Sequence, residues 1–103
     1  VIHSEHWNDT NGNPAGGTTF GRGFAIGWQN GPLGRGAERS EPNGAFVEDI
    51  IAAAADRLQY YQDSRFASKY NATALLHLDE ALRALNARTA DREDRDVEGT
   101  HAE

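Results

Sequence analysis

The chain has 103 residues, 38% hydrophobic and 25% charged, with a formal net charge of −6 at pH 7. That length fits one domain with a modest core, which association between copies would enlarge, and the composition argues against global disorder. The acidic balance disfavours DNA or RNA as a partner. The lack of cysteine excludes disulfides, thiolate nucleophiles and zinc–thiolate sites, and it suits a cytosol. No apolar run approaches the ~18–20 residues of a membrane span.

Ten of the eleven glycines lie between Gly12 and Gly44, and only Gly99 follows. A glycine-rich, turn-rich first part therefore gives way to a helical second part. The chain begins at Val1 and contains no methionine, so its natural start is expected to lie outside it, and no signal peptide is visible. Residues 1–17 show no period, and Asn11-Gly12-Asn13-Pro14 reads as a turn. From Thr18 to Asn30 the pattern alternates. Phe20, Arg22, Phe24, Ile26 and Trp28 are expected on one face of a strand, and Gly21, Gly23, Ala25 and Gly27 on the other. Asn30-Gly31 is a hairpin signal that predicts a return strand over Leu33–Arg39.

Pro42-Asn43-Gly44 opens a helix of about residues 44–63, with Asn43 as its expected N-cap. Its core stripe is Val47, Ile50, Ile51, Ala54, Leu58 and Tyr61. A second helix of about 69–91 carries Leu75, Leu78, Leu82, Leu85 and Thr89 on its core line, with Leu76 facing almost the opposite way. The expected class is α+β: a small N-terminal antiparallel sheet packed on a C-terminal antiparallel two-helix hairpin. The expected single domain, 1–103, comprises an irregular segment 1–17, a β ribbon 18–40, a hairpin 43–92 and an acidic tail 93–103.

Arg88 and Arg92 lie one turn apart on the same side of the second helix. They either pair with Asp91, Glu93, Asp94 or Asp96 and stabilise the helix end, or clamp an anion, since guanidinium forks match phosphate oxygens. Near the helix end and outside the leucine line, Arg92 is expected to tolerate alanine without loss of fold. Asn71 is either a bordering core residue or a reader of a base edge or ribose. Tyr60, off the core stripe, is the better of the two adjacent tyrosines to stack on a base. Arg22 and Arg35 are solvated strand residues by the plainest reading. His3 and His6 have metal-like spacing but no supporting carboxylate pattern, so no metal site is expected. Glu48 and Asp49 suit a helix start. His77 is expected in solvent, and no Ser-His-Asp grouping exists. Gly21-Arg22-Gly23 lacks the third glycine and the βαβ context of a dinucleotide fingerprint. No catalytic residue and no cofactor are therefore assigned.

The run Asn43-Gly44-Ala45-Phe46-Val47-Glu48-Asp49-Ile50-Ile51 resembles the start of the helical hairpin in the phage Thoeris anti-defence sponges. These share a hairpin domain with the phage anti-CBASS sponges. Trp28-Gln29-Asn30-Gly31-Pro32-Leu33-Gly34-Arg35 is similar too, as are Arg88-Thr89-Ala90-Asp91-Arg92-Glu93 and Val97-Glu98-Gly99-Thr100-His101. The similarity covers roughly residues 18–101. It implies a homo-oligomer, a dimer that can build a hexamer. It also implies sequestration, without cleavage, of cyclic nucleotide immune signals in the host bacterial cytoplasm: a glycocyclic ADP-ribose and, in some members, cyclic trinucleotides at separate sites.

By the same resemblance the ligand contacts fall at Arg35, Tyr60, Asn71, Arg88 and Arg92. This chain departs from the family at Tyr60, where phenylalanine is typical, in the loop Phe66-Ala67-Ser68-Lys69-Tyr70, and at Asp96, where glycine is common. The alternative function is a structural or interaction module whose hairpin assembles with a phage or host protein. An enzyme that degrades the nucleotide ranks third.

Overall fold

A computed structural model describes residues 1–103. The fold is α+β, with an N-terminal three-stranded antiparallel sheet followed by two long helices. The chain divides into two compact units, one formed by Val1–Phe46 with Arg92–Glu103 and the other by Val47–Asp91. No helix is long and apolar enough to cross a membrane.

The first unit contains β1 (His3–Asn8), β2 (Pro14–Gly21) and β3 (Phe24–Trp28), in that spatial order. β1 lies inside the segment expected to be irregular. It is exposed along its whole length, and a strand that buries neither face has no need of alternating hydrophobicity. The turn after β1 falls where Asn11-Gly12-Asn13 predicts it. Asp9 Oδ1 accepts the backbone N–H groups of Asn11 (2.8 Å) and Asn13 (3.0 Å), an Asx-type turn, and Gly12 supplies φ +80°.

Those donors, that of Asn13 first, hold the Asp9 carboxyl below its usual range, with burial opposing and the Asn11 amide adding to the effect. A depressed folded-state pKa stabilises the turn above the unfolded carboxyl value, and that support is lost as pH falls through the folded value. Protection of the Asn11 and Asn13 amides, taken as exchange relative to the intrinsic rate at each pH, should therefore fall only on acidification below about pH 4. Protection unchanged down through the folded-state midpoint of Asp9 would contradict this.

The expected single strand Thr18–Asn30 is two strands. The chain reverses at Arg22-Gly23, where Gly23 takes φ +90°, a conformation that strains other residues. Phe20 pairs with Ala25, and Thr19 with Ile26. Paired residues share a face, so Phe24, Ile26 and Trp28 join Thr19 while Phe20 points the other way. Thr19, 7% exposed, accepts the Trp28 indole N–H at 2.8 Å and shares a hydrogen bond with the Ser4 hydroxyl at 2.9 Å.

Asn30-Gly31 does not start a hairpin, and residues 33–39 hold a 3₁₀ turn, Gly36–Glu38, instead of a strand. The edge of β3 is taken by Ala45: its N–H donates to Gly27 O (2.8 Å), and its carbonyl accepts from Gln29 N–H (2.9 Å). A Cβ on Gly44 would lie 2.5 Å from the Trp28 carbonyl carbon, so this approach requires glycine. Asn43 is consequently not an N-cap. Its Oδ1 accepts the Asn30 N–H and its own N–H donates to Gln29 Oε1, both at 2.8 Å, and the helix starts four residues later.

The second unit holds α1 (Val47–Gln62) and most of α2 (Lys69–Asp94). Ile50, Ile51, Ala55, Leu58 and Tyr61 form the half-buried stripe of α1. Ala74, Leu75, Leu78, Ala81, Leu82 and Leu85 form that of α2. Val47, Ala54 and Thr89, expected on these lines, are exposed. The connection is locked by side chains. Ser68 caps α2 by accepting the Asn71 N–H (3.0 Å), while the Gln62 amide bonds both the N–H (2.8 Å) and the carbonyl (3.2 Å) of Ser68.

Candidate functional site

The five residues singled out for ligand contact divide between the units: Arg35 and Arg92 in the first, and Tyr60, Asn71 and Arg88 in the second.

Arg92 is only 7% exposed. Its Nη1 donates to Ala102 O, its Nη2 to Val97 O (2.9 Å) and Thr100 O (3.0 Å), and its Nε lies 3.5 Å from Glu98 Oε2. Residues 97–102 are thus wound around one guanidinium. In place of the expected pairing with helix-end carboxylates, the guanidinium serves main-chain carbonyls and Glu98. Only a planar fork of five donors can serve such a set together.

Arg35 is held against the same segment. Its Nη1 donates to Glu98 O (2.8 Å), and its Nη2 lies 3.2 Å from Glu93 Oε1 and 3.7 Å from Asp96 Oδ1. Glu98 therefore meets both arginines, one through its carbonyl and one through its carboxylate. Gly99 completes the lock with φ +79°: its carbonyl accepts the Gly34 N–H (2.8 Å), and a Cβ there would stand 2.3 Å from Gly34 O. The segment expected to be an acidic tail is thus tied to Arg35, Gly34 and Arg92.

Tyr60 is 62% exposed and meets Tyr61 edge to face, with ring centroids 5.8 Å apart. The Arg57 guanidinium lies 5.0 Å from the Tyr60 ring and 5.1 Å from that of Tyr61. The pattern did not single out Arg57, although its position one turn before Tyr61 is the available signal. Asn71 donates from Nδ2 to Phe66 O (3.2 Å), so half of its amide fixes the loop before α2. The Arg88 side chain is exposed and makes no hydrogen bond or ion pair. Of the two arginines one turn apart, Arg88 has a guanidinium free to meet an anion, while that of Arg92 is committed to carbonyls.

Comparison with known proteins adds two findings. The family model described as Acb2/Tad1, hairpin domain, matches residues 22–90. Over 59 residues the chain is 56% identical to "Thoeris anti-defense 1" of Bacillus phage SBSphiJ7. The aligned part is 57% of this chain and 42% of the relative, so the chain spans less than half the relative's length.

Proposed function

The chain belongs to the Acb2/Tad1 hairpin-domain family, and on that premise we propose that it is a phage anti-defence protein. In this reading it binds a cyclic nucleotide immune signal and holds it, uncleaved, in the host cytoplasm. The favoured ligand is a glycocyclic ADP-ribose, with cyclic oligonucleotides as further cargo. The name of the Bacillus phage relative supports the anti-defence role.

One geometric observation carries the proposed site. Asn71 and Arg88 both lie on α2, almost five turns and about 25 Å apart at 1.5 Å per residue. A single small nucleotide does not bridge that length along one helix. A ligand that uses both residues therefore touches two copies of the chain. A two-fold dimer achieves this by presenting Tyr60 and Asn71 of one copy beside Arg88 of the other. The surface suits such pairing: no apolar side chain is fully buried, and Leu76 (56%), Val47, Phe66 and Tyr70 are all exposed.

Sequestration requires slow release, which charge-assisted bonds to phosphate and stacking on an aromatic ring would provide. The test is to incubate the protein with cyclic ADP-ribose isomers and cyclic trinucleotides, denature it, and analyse the supernatant. Intact nucleotide supports the reading. Products would make the protein an enzyme, and an empty supernatant would make it an interaction module. Tyr60→Ala should weaken binding by ~1–3 kcal/mol through lost stacking, while Tyr60→Phe should cost little. Equal affinities for Tyr60→Ala and the parent in calorimetry would remove Tyr60 from the site.

A further inference from the structure

Asp96 is the one non-glycine residue with a positive φ, +57°. It follows α2, where the Val97 N–H donates to Arg92 O and the Asp96 N–H to Glu93 O, both at 3.0 Å. This pair of bonds is a Schellman ending, whose left-handed position favours glycine because a side chain is strained there. Strain kept at one position calls for a reason elsewhere. Here the Asp96 carboxylate is 3.7 Å from Arg35 Nη2, with Glu93 Oε1 3.2 Å from the same nitrogen. Nη1 is taken by Glu98 O, and the Glu98 carboxylate faces Arg92. Two guanidiniums therefore meet three carboxylates, so an incoming phosphate finds a cluster already satisfied and net negative.

We infer that Asp96, with Glu93, is an internal competitor for Arg35: the carboxylates occupy the Nη2 donor that a phosphate oxygen of the ligand takes over, so that Asp96 tunes affinity and release. This rests on the proposed nucleotide binding, with Arg35, a ligand contact by the family resemblance, meeting a phosphate of the ligand. The exchange is feasible. Asp96 is 89% and Glu93 60% exposed, and exposed ion pairs open into water at little cost. The Glu98 carbonyl keeps the Arg35 fork in place while the acids move.

The test pairs Asp96→Asn, which removes the charge from a position asparagine tolerates, with Asp96→Gly, which also relieves the strain. Titration uses inorganic pyrophosphate, cyclic ADP-ribose isomers and cyclic trinucleotides. Both variants should bind about two- to fivefold more tightly than the parent at low salt, and the gain should shrink at high salt. Only Asp96→Gly should also raise the urea midpoint. Unchanged or weaker binding by both variants, in a protein where Arg35→Ala binds poorly, overturns the inference and leaves the phosphate reading intact. Full binding by Arg35→Ala removes Arg35 from the site and this inference with it. A parent that binds no probe refutes the functional reading itself.

Discussion

Replacing Arg92 with alanine should destabilise the protein by about 3 kcal/mol, a large share of the 5–15 kcal/mol that holds a typical domain. The substitution removes the donors that serve the carbonyls of Val97, Thr100 and Ala102 and leaves the Glu98 carboxylate without its cation. The cheapest response is for residues 97–102 to detach and rehydrate, which also releases Arg35 from Glu98 O and Gly34 from Gly99 O. Arg92→Lys should rescue little, because one ammonium cannot reach acceptors spread around a planar fork. Urea unfolding gives the cost, and hydrogen exchange at Gly34 shows whether the segment has left. An unchanged midpoint with protected Gly34 would show that Arg92 is dispensable. The position of Arg92 near a helix end and off the leucine line predicts tolerance. Its burial and bonding reverse that expectation, so ligand binding lost in Arg92→Ala does not by itself identify a ligand contact.

What the sequence reveals follows from what each segment buries. Both helices are legible because one stripe of each is half-buried, which writes a 3.6-residue period into Ile50–Tyr61 and Leu75–Leu85. The start of α1 is misread by three residues because Gly44 and Ala45 serve the edge of β3, a long-range pairing without local signal. β1 is hidden because it buries neither face. The Arg22-Gly23 reversal is hidden inside an alternation that continues through the turn, although the register puts Phe20 and Ile26 on opposite faces. Asn30-Gly31 shows the converse: a strong local turn signal is overridden when Gln29 pairs with Ala45 and Asn43 instead. Arg92 could be named from its residue type and Arg35 only from the family resemblance, and their shared dependence on Glu98 from neither. The available signal was Gly99, the lone glycine after Gly44, whose positive φ and close approach to Gly34 mark where the segment folds back.

Arg88→Ala is the cleaner test of the proposed site, because the Arg88 side chain is exposed and bonds nothing within the chain, so its loss should leave stability within about 0.5 kcal/mol of the parent. A guanidinium that meets an enclosed phosphate contributes ~1.5–3 kcal/mol, so the dissociation constant should rise by about tenfold to a hundredfold or more. Arg88→Lys should recover part of this through charge alone, without the bidentate geometry. The distance along α2 adds a sharper test. If each site takes Asn71 from one copy and Arg88 from the other, Asn71→Ala and Arg88→Ala chains that are unfolded and refolded together form mixed dimers. Each mixed dimer has one site with both residues intact and one with neither, so about a quarter of all sites should regain parental affinity. Calorimetry of the mixture should then show a tight-binding fraction absent from either variant alone. If the mixture binds no better than the sum of its parts, the two residues do not meet across copies. If Arg88→Ala alone binds every cyclic nucleotide as tightly as the parent, Arg88 is a solvated helix-end charge and the proposed anion contact is wrong.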